Sequence, residues 1–443
     1  MRKRSVLLLT MLLAGSFVFA NGAKESGSSA QSGDTVTVNA PVTITLWHTR
    51  GAGKNGEEMT AVTKKFNETN KLGITVEESY QGNYVATLAK TMQAIAAGTN
   101  PTMVLLERAA GVPVVNDAGA LLDMMPYAKR DGMDLANFPE ALMKYSLVDG
   151  KLITLPYVRS TPVFYYNKGM YREAGIVDAP KTIDELIAAS KKITKVENGK
   201  TVVFGFELLN DPAWFIQNMT YQLGSNMLSA DGKSAPSLED GTLLKVLSAW
   251  RSWVDEGWCA APAVTNASNA LLDDFYNKRV GAFFYSTGGM ANIIKNSAEA
   301  GIELGVAFLP TWDKPAAPVG GGNLGILSVN TSKQEQAAAW EFMKFLMEDE
   351  QVANNSAHTG YLPSTKSSIN HPILKQQWAE HPEFRVAFDQ LSIAQEIPYS
   401  IYKSQYEEQM TVVCSRLIQD RSISPEQAIE ELKAEAVQIF PTK

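Results

Sequence analysis

The chain has 443 residues, of which 45% are hydrophobic and 20% charged, a balance that excludes a disordered or low-complexity protein. Its formal net charge is −7, and it falls to −10 once the basic start Arg2, Lys3 and Arg4 is set aside. So acidic a body lacks the basic face that a nucleic-acid partner requires, although one local cation is enough to hold a small anionic ligand.

The start dictates a compartment. An uncharged apolar run from Ser5 to Phe19 follows the basic residues, and Val18-Phe19-Ala20 places small residues at the positions a signal peptidase reads. Residues 1–20 therefore read as a cleavable signal peptide, too short to be a stable membrane span. No cysteine stands near the cleavage point, so a released protein of the periplasm is expected rather than a lipid-anchored one. Residues 21–39, rich in Gly, Ser and Ala, read as a flexible leader. No later apolar stretch reaches the roughly 20 residues a membrane helix needs. The remaining chain exceeds what one hydrophobic core usually serves, so two lobes are expected.

Val42 to Trp47 alternates like a half-buried strand. Met59, Val62 and Phe66 share one helical face in the helix expected over Met59 to Asn70. Ile74 to Val76 gives a second strand. Tyr84 to Ala97 reads as a helix with Val85, Leu88, Met92 and Ile95 in register and Gly98 as its C-cap. Met103 to Leu106, closed by Glu107, gives a third strand. This alternation is the rhythm of an α/β sheet with crossover helices. Farther on, Thr182 with Glu185 and Ser332 with Glu335 fit the capping-box spacing. Ser424-Pro425-Glu426-Gln427 opens a last helix. The aromatic run from Ala249 to Trp258 reads as helix packing, and Cys259 and Cys414 are too far apart in sequence to announce a disulfide.

Enzyme signals fail on context. Gly51-Ala52-Gly53-Lys54 matches part of a phosphate loop but continues Asn55-Gly56, without the Ser or Thr that binds magnesium. Gly320 to Gly325 matches G-x-G-x-x-G, yet it follows a Pro-rich loop and leads into a strand expected at Ile326 to Val329, the reverse of the dinucleotide fingerprint, so the glycine run itself reads as a loop. His48, His358, His371 and His381 show no metal spacing. No catalytic residue, metal or cofactor is therefore expected. What stands out instead is a set of hydroxyl and aromatic residues in Gly- or Pro-marked segments, a composition suited to polyhydroxylated ligands.

Those segments also carry a resemblance. Leu46-Trp47-His48, Gly82-Asn83-Tyr84, the string Ser160-Thr161-Pro162-Val163-Phe164-Tyr165-Tyr166-Asn167-Lys168 and Thr359-Gly360-Tyr361-Leu362-Pro363 resemble, in this order, the extracellular solute-binding proteins of ABC importers, sugar-binding family 1. Within it the likeness is strongest to members that bind sn-glycerol-3-phosphate. It implies an α/β, two-lobed periplasmic-binding-protein fold of type II, with the ligand between the lobes. The N-terminal lobe would comprise 40–157 and 310–358, the C-terminal lobe 158–309 and 359–443.

The resemblance also implies ligand contacts at Tyr84, Ser160, Ser286, Gly321 or Gly322, and Tyr361, with Trp214 as a stacking wall. A family carboxylate falls at Glu107, with Arg108 as the one-residue alternative. Where glycerophosphate binders place an arginine on the phosphate, this chain has Lys403, which keeps the charge and loses the bidentate fork. Arg159 would supply a second cation or a surface salt bridge. The implied partners are sn-glycerol-3-phosphate or a glycerophosphodiester and the permease subunits of an inner-membrane ABC importer, with the protein a monomer. A neutral sugar or oligosaccharide is the alternative ligand, a secreted hydrolase the alternative class, and a sensor docking on a chemoreceptor a third.

Overall fold

The computed structural model describes residues 35–441. The signal peptide expected over 1–20 and the leader as far as residue 34 lie outside the described residues. Residues 35–39 do not behave as a free linker: Val36 and Val38 pack on the first core, and Gln334 Nε2 donates to the Thr37 carbonyl at 3.1 Å. Two valines at alternate positions bury one edge of the segment, a signal the Gly/Ser-rich composition around them hides.

In chain order the strands are β1 (Val42–His48), β2 (Ile74–Tyr80), β3 (Met103–Glu107), β4 (Leu147–Val148), β5 (Lys151–Leu152), β6 (Leu155–Ser160) and β7 (Pro162–Asn167). There follow β8 (Lys195–Glu197), β9 (Lys200–Val203), β10 (Phe206–Glu207), β11 (Cys259–Ala260), β12 (Ala282–Ser286), β13 (Leu304–Ala307), β14 (Ala317–Ile326) and β15 (Ala394–Glu396). Two sheets, each with its own core, make a two-lobed α/β architecture. The first runs β15-β14-β3-β1-β2 with β6 also on β14, and the second runs β11-β10-β12-β7-β13. In the first sheet β1 is parallel to β2 and β3, as the strand–helix–strand rhythm requires, whereas β14 returns antiparallel to β3 and β6. Only Thr161 separates β6 from β7, so the chain passes directly from one sheet to the other.

The expected helices form, the first of them starting earlier than expected. The first spans Lys54–Thr69 and buries Met59, Val62 and Phe66. In the helix Tyr84–Ala97, closed by Gly98 at φ 71°, the buried face is Thr87, Thr91 and Ala94. Leu88, Met92 and Ile95 are half-buried beside it, and Val85 is 67% exposed. The expected register thus fails at its first residue, which sits in the first turn at the rim. Ser332 and Ser424 make full capping boxes. Thr182 accepts from the Glu185 amide, but Glu185 Oε2 takes the Lys181 amide, so that box is not reciprocal. The aromatic run ends the helix Thr242–Asp255, and Trp250, Trp253 and Trp258 are buried in the second core. Full burial of such a side chain contributes about 1.5–3 kcal/mol. Cys259 and Cys414 are both free and buried in that core. It also receives the C-terminal helices Lys403–Gln419 and Pro425–Ile439 through Tyr406, Leu417 and Leu432.

Candidate ligand-binding cleft

The glycine run expected as a loop is the middle of β14, ten residues long and buried throughout. Gly320 lies opposite Ser160 of β6, and Gly322 lies opposite Glu107 of β3. A Cβ would stand 3.1 Å from the Trp214 ring at Gly320, 2.1 Å from the Val158 carbonyl at Gly321 and 2.7 Å from Tyr84 Oη at Gly322. Side chains are excluded here so that an indole packed on the second core and a phenol packed on the first can both approach one strand.

Around this strand the charges converge. Lys403 opens its helix, is buried, and places Nζ 2.7 Å from Glu407 Oε2 and 4.0 Å from Glu107 Oε2. Burial pulls its pKa down, but Glu407, Glu107 and Asp211 together raise it, so the ammonium stays charged. Burial pushes the Glu407 carboxyl up to about 7 against the pull of Lys403. Glu107 is fixed by the amides of Ala109 and Ala110, which donate to its Oε2 at 2.9 and 2.6 Å.

Glu107, not Arg108, is the residue beside Lys403. Arg108 turns into the protein, where Nη2 pairs with Glu396 at 2.8 Å and donates to the carbonyls of Val319 and Ile397. Arg159 is fully buried, which overturns the surface salt bridge. Nε donates to the Gly320 carbonyl at 2.7 Å and Nη1 to the Leu142 carbonyl at 2.9 Å, while buried Nη2 finds no hydrogen-bond partner among the described residues. Burial and the neighbouring Arg108 lower its pKa to about 9. Within the whole cluster the carboxylates Glu107, Asp211, Glu396 and Glu407 outnumber the cations Arg108, Arg159 and Lys403.

Tyr84, Glu107, Trp214, Gly321, Gly322 and Lys403 thus surround one place, with Arg159 behind them. Burial first, then Tyr361 and Glu107, raises Tyr84 well above its usual value, so its hydroxyl remains a donor. Ser160 is buried opposite Gly320. Ser286 accepts the Gly288 amide with its Oγ at 3.2 Å and so caps a turn. Tyr361 stands farther along, its ring against Gly288 and under the Arg50 guanidinium at 5.7 Å. Sequence reasoning missed Asp211, Glu396, Glu407 and Arg50. Only Glu407 carried a signal, four residues after Lys403 on a helix, the spacing at which opposite charges meet.

A family model described as bacterial extracellular solute-binding protein matches residues 61–386. A Brucella abortus protein is 27% identical over 56% of this chain, and the match spans 61% of that relative's own length. The sn-glycerol-3-phosphate-binding periplasmic protein UgpB of Agrobacterium fabrum is 26% identical over 74% of this chain and 76% of its own. Among solved structures, UgpB of Mycobacterium tuberculosis in complex with glycerophosphocholine superposes with a TM-score of 0.79 at 23% identity, covering 90% of this chain and 98% of that one. The cyclic alpha-maltosyl-1,6-maltose binding protein of Arthrobacter globiformis gives a TM-score of 0.73 at 23% identity, over 90% and 99% of the two chains.

Proposed function

Because the chain belongs to the bacterial extracellular solute-binding proteins, we propose that it is exported by the signal peptide at 1–20 and delivers a small, neutral, hydroxyl-rich solute to the permease of an ABC importer. The solute is a sugar or short oligosaccharide. One observation carries the choice of ligand: Lys403, the cation the sequence offers to a phosphate, already spends its charge on Glu407 at 2.7 Å with Glu107 close by. A dianionic phosphate brought to a cluster in which carboxylates outnumber cations would be opposed by them. Hydroxyl groups instead donate to carboxylates and accept from Lys403, Arg159 and Tyr84, and a sugar's apolar face stacks on Trp214.

The mechanism is differential contact. On this reading residues 40–157 with 310–361 form one lobe and residues 158–309 with 362–443 the other, the expected boundary at 358 moving to 361 because Tyr361 packs on the first core and Leu362 on the second. Tyr84 and Glu107 come from the first and Trp214 and Lys403 from the second, so a bound solute favours the closed arrangement over the open one. The transporter then reads closure, and a monomer suffices. A second reading, sn-glycerol-3-phosphate or a glycerophosphodiester, is favoured by the relatives named for that ligand. Titration calorimetry of the mature chain with maltose, sn-glycerol-3-phosphate and glycerophosphocholine separates the two. Tight binding of maltose alone supports the neutral-sugar reading, and tight binding of either glycerophosphate compound replaces it by the second.

A further inference from the structure

The seam between the two bodies holds a device that shares only Tyr361 with the implied ligand contacts. Three glycines meet across it. A Cβ on Gly288 would stand 2.6 Å from the Tyr361 ring, one on Gly360 2.4 Å from the Thr287 carbonyl, and one on Gly53 2.9 Å from Asn292 Oδ1. The backbone at each glycine is therefore approached closely from across the seam, by a ring, a main-chain carbonyl and a side-chain amide in turn. On one side lies the segment after β12, whose Met290 is in the second core, and on the other lie Tyr361 and the turn after β1, which belong to the first. Two hydrogen bonds cross the same line: Asn55 Nδ2 donates to the Gly288 carbonyl at 3.0 Å, and the Lys54 amide donates to Asn292 Oδ1 at 3.2 Å.

Gly288 is thus held twice, by Asn55 at its carbonyl and by Tyr361 at its Cα. Arg50 touches both holders. Its side chain is buried, Nε donates to the Asn55 carbonyl at 2.9 Å, and Nη1 donates to Asn355 Oδ1 at 2.6 Å. The guanidinium stands 5.6 Å from the Tyr157 ring centre and 5.7 Å from that of Tyr361. A planar cation that stacks between two rings and also forks to two oxygens is a role that arginine fills and lysine cannot.

We propose that Arg50 is the positioning residue of a closure latch: it presents the Asn55 side chain and the Tyr361 ring to Gly288 and so sets how firmly the two lobes close. This rests on the reading of the chain as a binder that closes, and goes beyond it by assigning closure strength to a residue outside the ligand cluster.

The test is the distance between spin labels at Glu68→Cys and Lys200→Cys, both exposed, with the native cysteines buried and so silent. It is measured on the full mature chain, without ligand and with maltose, sn-glycerol-3-phosphate or glycerophosphocholine. In the otherwise native chain a short-distance population is expected. Arg50→Met and Gly288→Ala should both move most of it to longer distances, and Arg50→Lys should fall between. For whichever probe binds, the dissociation rate should rise at least tenfold while the association rate changes little. Gly288→Ala keeps the test decisive if Arg50→Met fails to fold. An unchanged distance distribution in Arg50→Lys and Gly288→Ala, or no short population under any condition, overturns the latch. A distance response with no probe binding overturns the choice of ligand and leaves the latch standing.

Discussion

Lys403 and Glu407 face each other one turn apart on a single helix, Nζ 2.7 Å from Oε2, at the place where the sequence pointed to a cation for phosphate. A buried pair is tolerated because each member neutralises the other, and removal of one member leaves a costly bare charge. Glu407→Gln therefore exposes the Lys403 ammonium to whatever enters the cleft. Calorimetry should show affinity for sn-glycerol-3-phosphate rising at least tenfold, about 1.4 kcal/mol, with maltose affinity unchanged or lower. If the phosphate ester gains nothing, the pair does not set the charge preference of the cleft.

The same pair makes a pH prediction. With its carboxyl raised to about 7, Glu407 takes up a proton as the pH falls from 8 to 6 and stops cancelling Lys403. Binding of a glycerophosphodiester, whose phosphate charge does not change across that window, should tighten, and binding of maltose should change little, because a hydroxyl can donate to a carboxyl oxygen in either protonation state. Glu407→Gln should abolish the slope for the ester. A pH dependence that survives in Glu407→Gln would assign it to another group.

A second buried carboxyl governs stability rather than binding. Glu207, at the end of β10, is 3% exposed, and burial raises its pKa to about 8, with Asp274 adding to the shift. Its folded pKa exceeds the ordinary carboxylate value, so between about pH 4.5 and 8 the folded state holds the proton more tightly than the unfolded state. Stability from this group is full below that window and is lost as pH rises through it. Urea denaturation should find Glu207→Gln gaining stability relative to the unsubstituted chain at pH 8.5 and losing the advantage at pH 5. Parallel pH profiles for the two proteins would contradict this.

How far the sequence was legible follows the range of the interactions. Apolar spacing and caps are local, and they located Met59, Val62 and Phe66, the C-cap at Gly98 and the boxes at Ser332 and Ser424. The resemblance located Tyr84, Glu107, Trp214 and Lys403, which the fold gathers around β14. It was silent on Asp211 and Glu396, which reach the cluster from distant turns of chain. The Gly320 run was misread because glycine signals a loop by default, whereas here it marks close approach within a strand. Of the two readings of Arg159, the surface salt bridge fails because the carbonyls that satisfy its buried side chain, Gly320 and Leu142, are brought to it by the fold and not by neighbours in sequence.

Adjacent glycines of β14 should separate stability from binding. At Gly321 the backbone has φ +91°, and a Cβ would stand 2.1 Å from the Val158 carbonyl, a main-chain atom held in the β6 ladder. Neither the strain nor the clash can relax without parting β14 from β6, so Gly321→Ala should cost about 3 kcal/mol or more in chemical denaturation. At Gly320 φ is not positive, and the nearest obstacle, at 3.1 Å, is the rim of the Trp214 indole, a half-buried ring able to tilt. Gly320→Ala should therefore leave the unfolding midpoint nearly unchanged, within about 1 kcal/mol, yet weaken ligand binding by displacing the stacking surface. Tryptophan fluorescence would report that tilt directly. If Gly320→Ala binds as tightly as the unsubstituted chain with its fluorescence altered, Trp214 is not the wall of the ligand site, and the indole on β14 is packing alone.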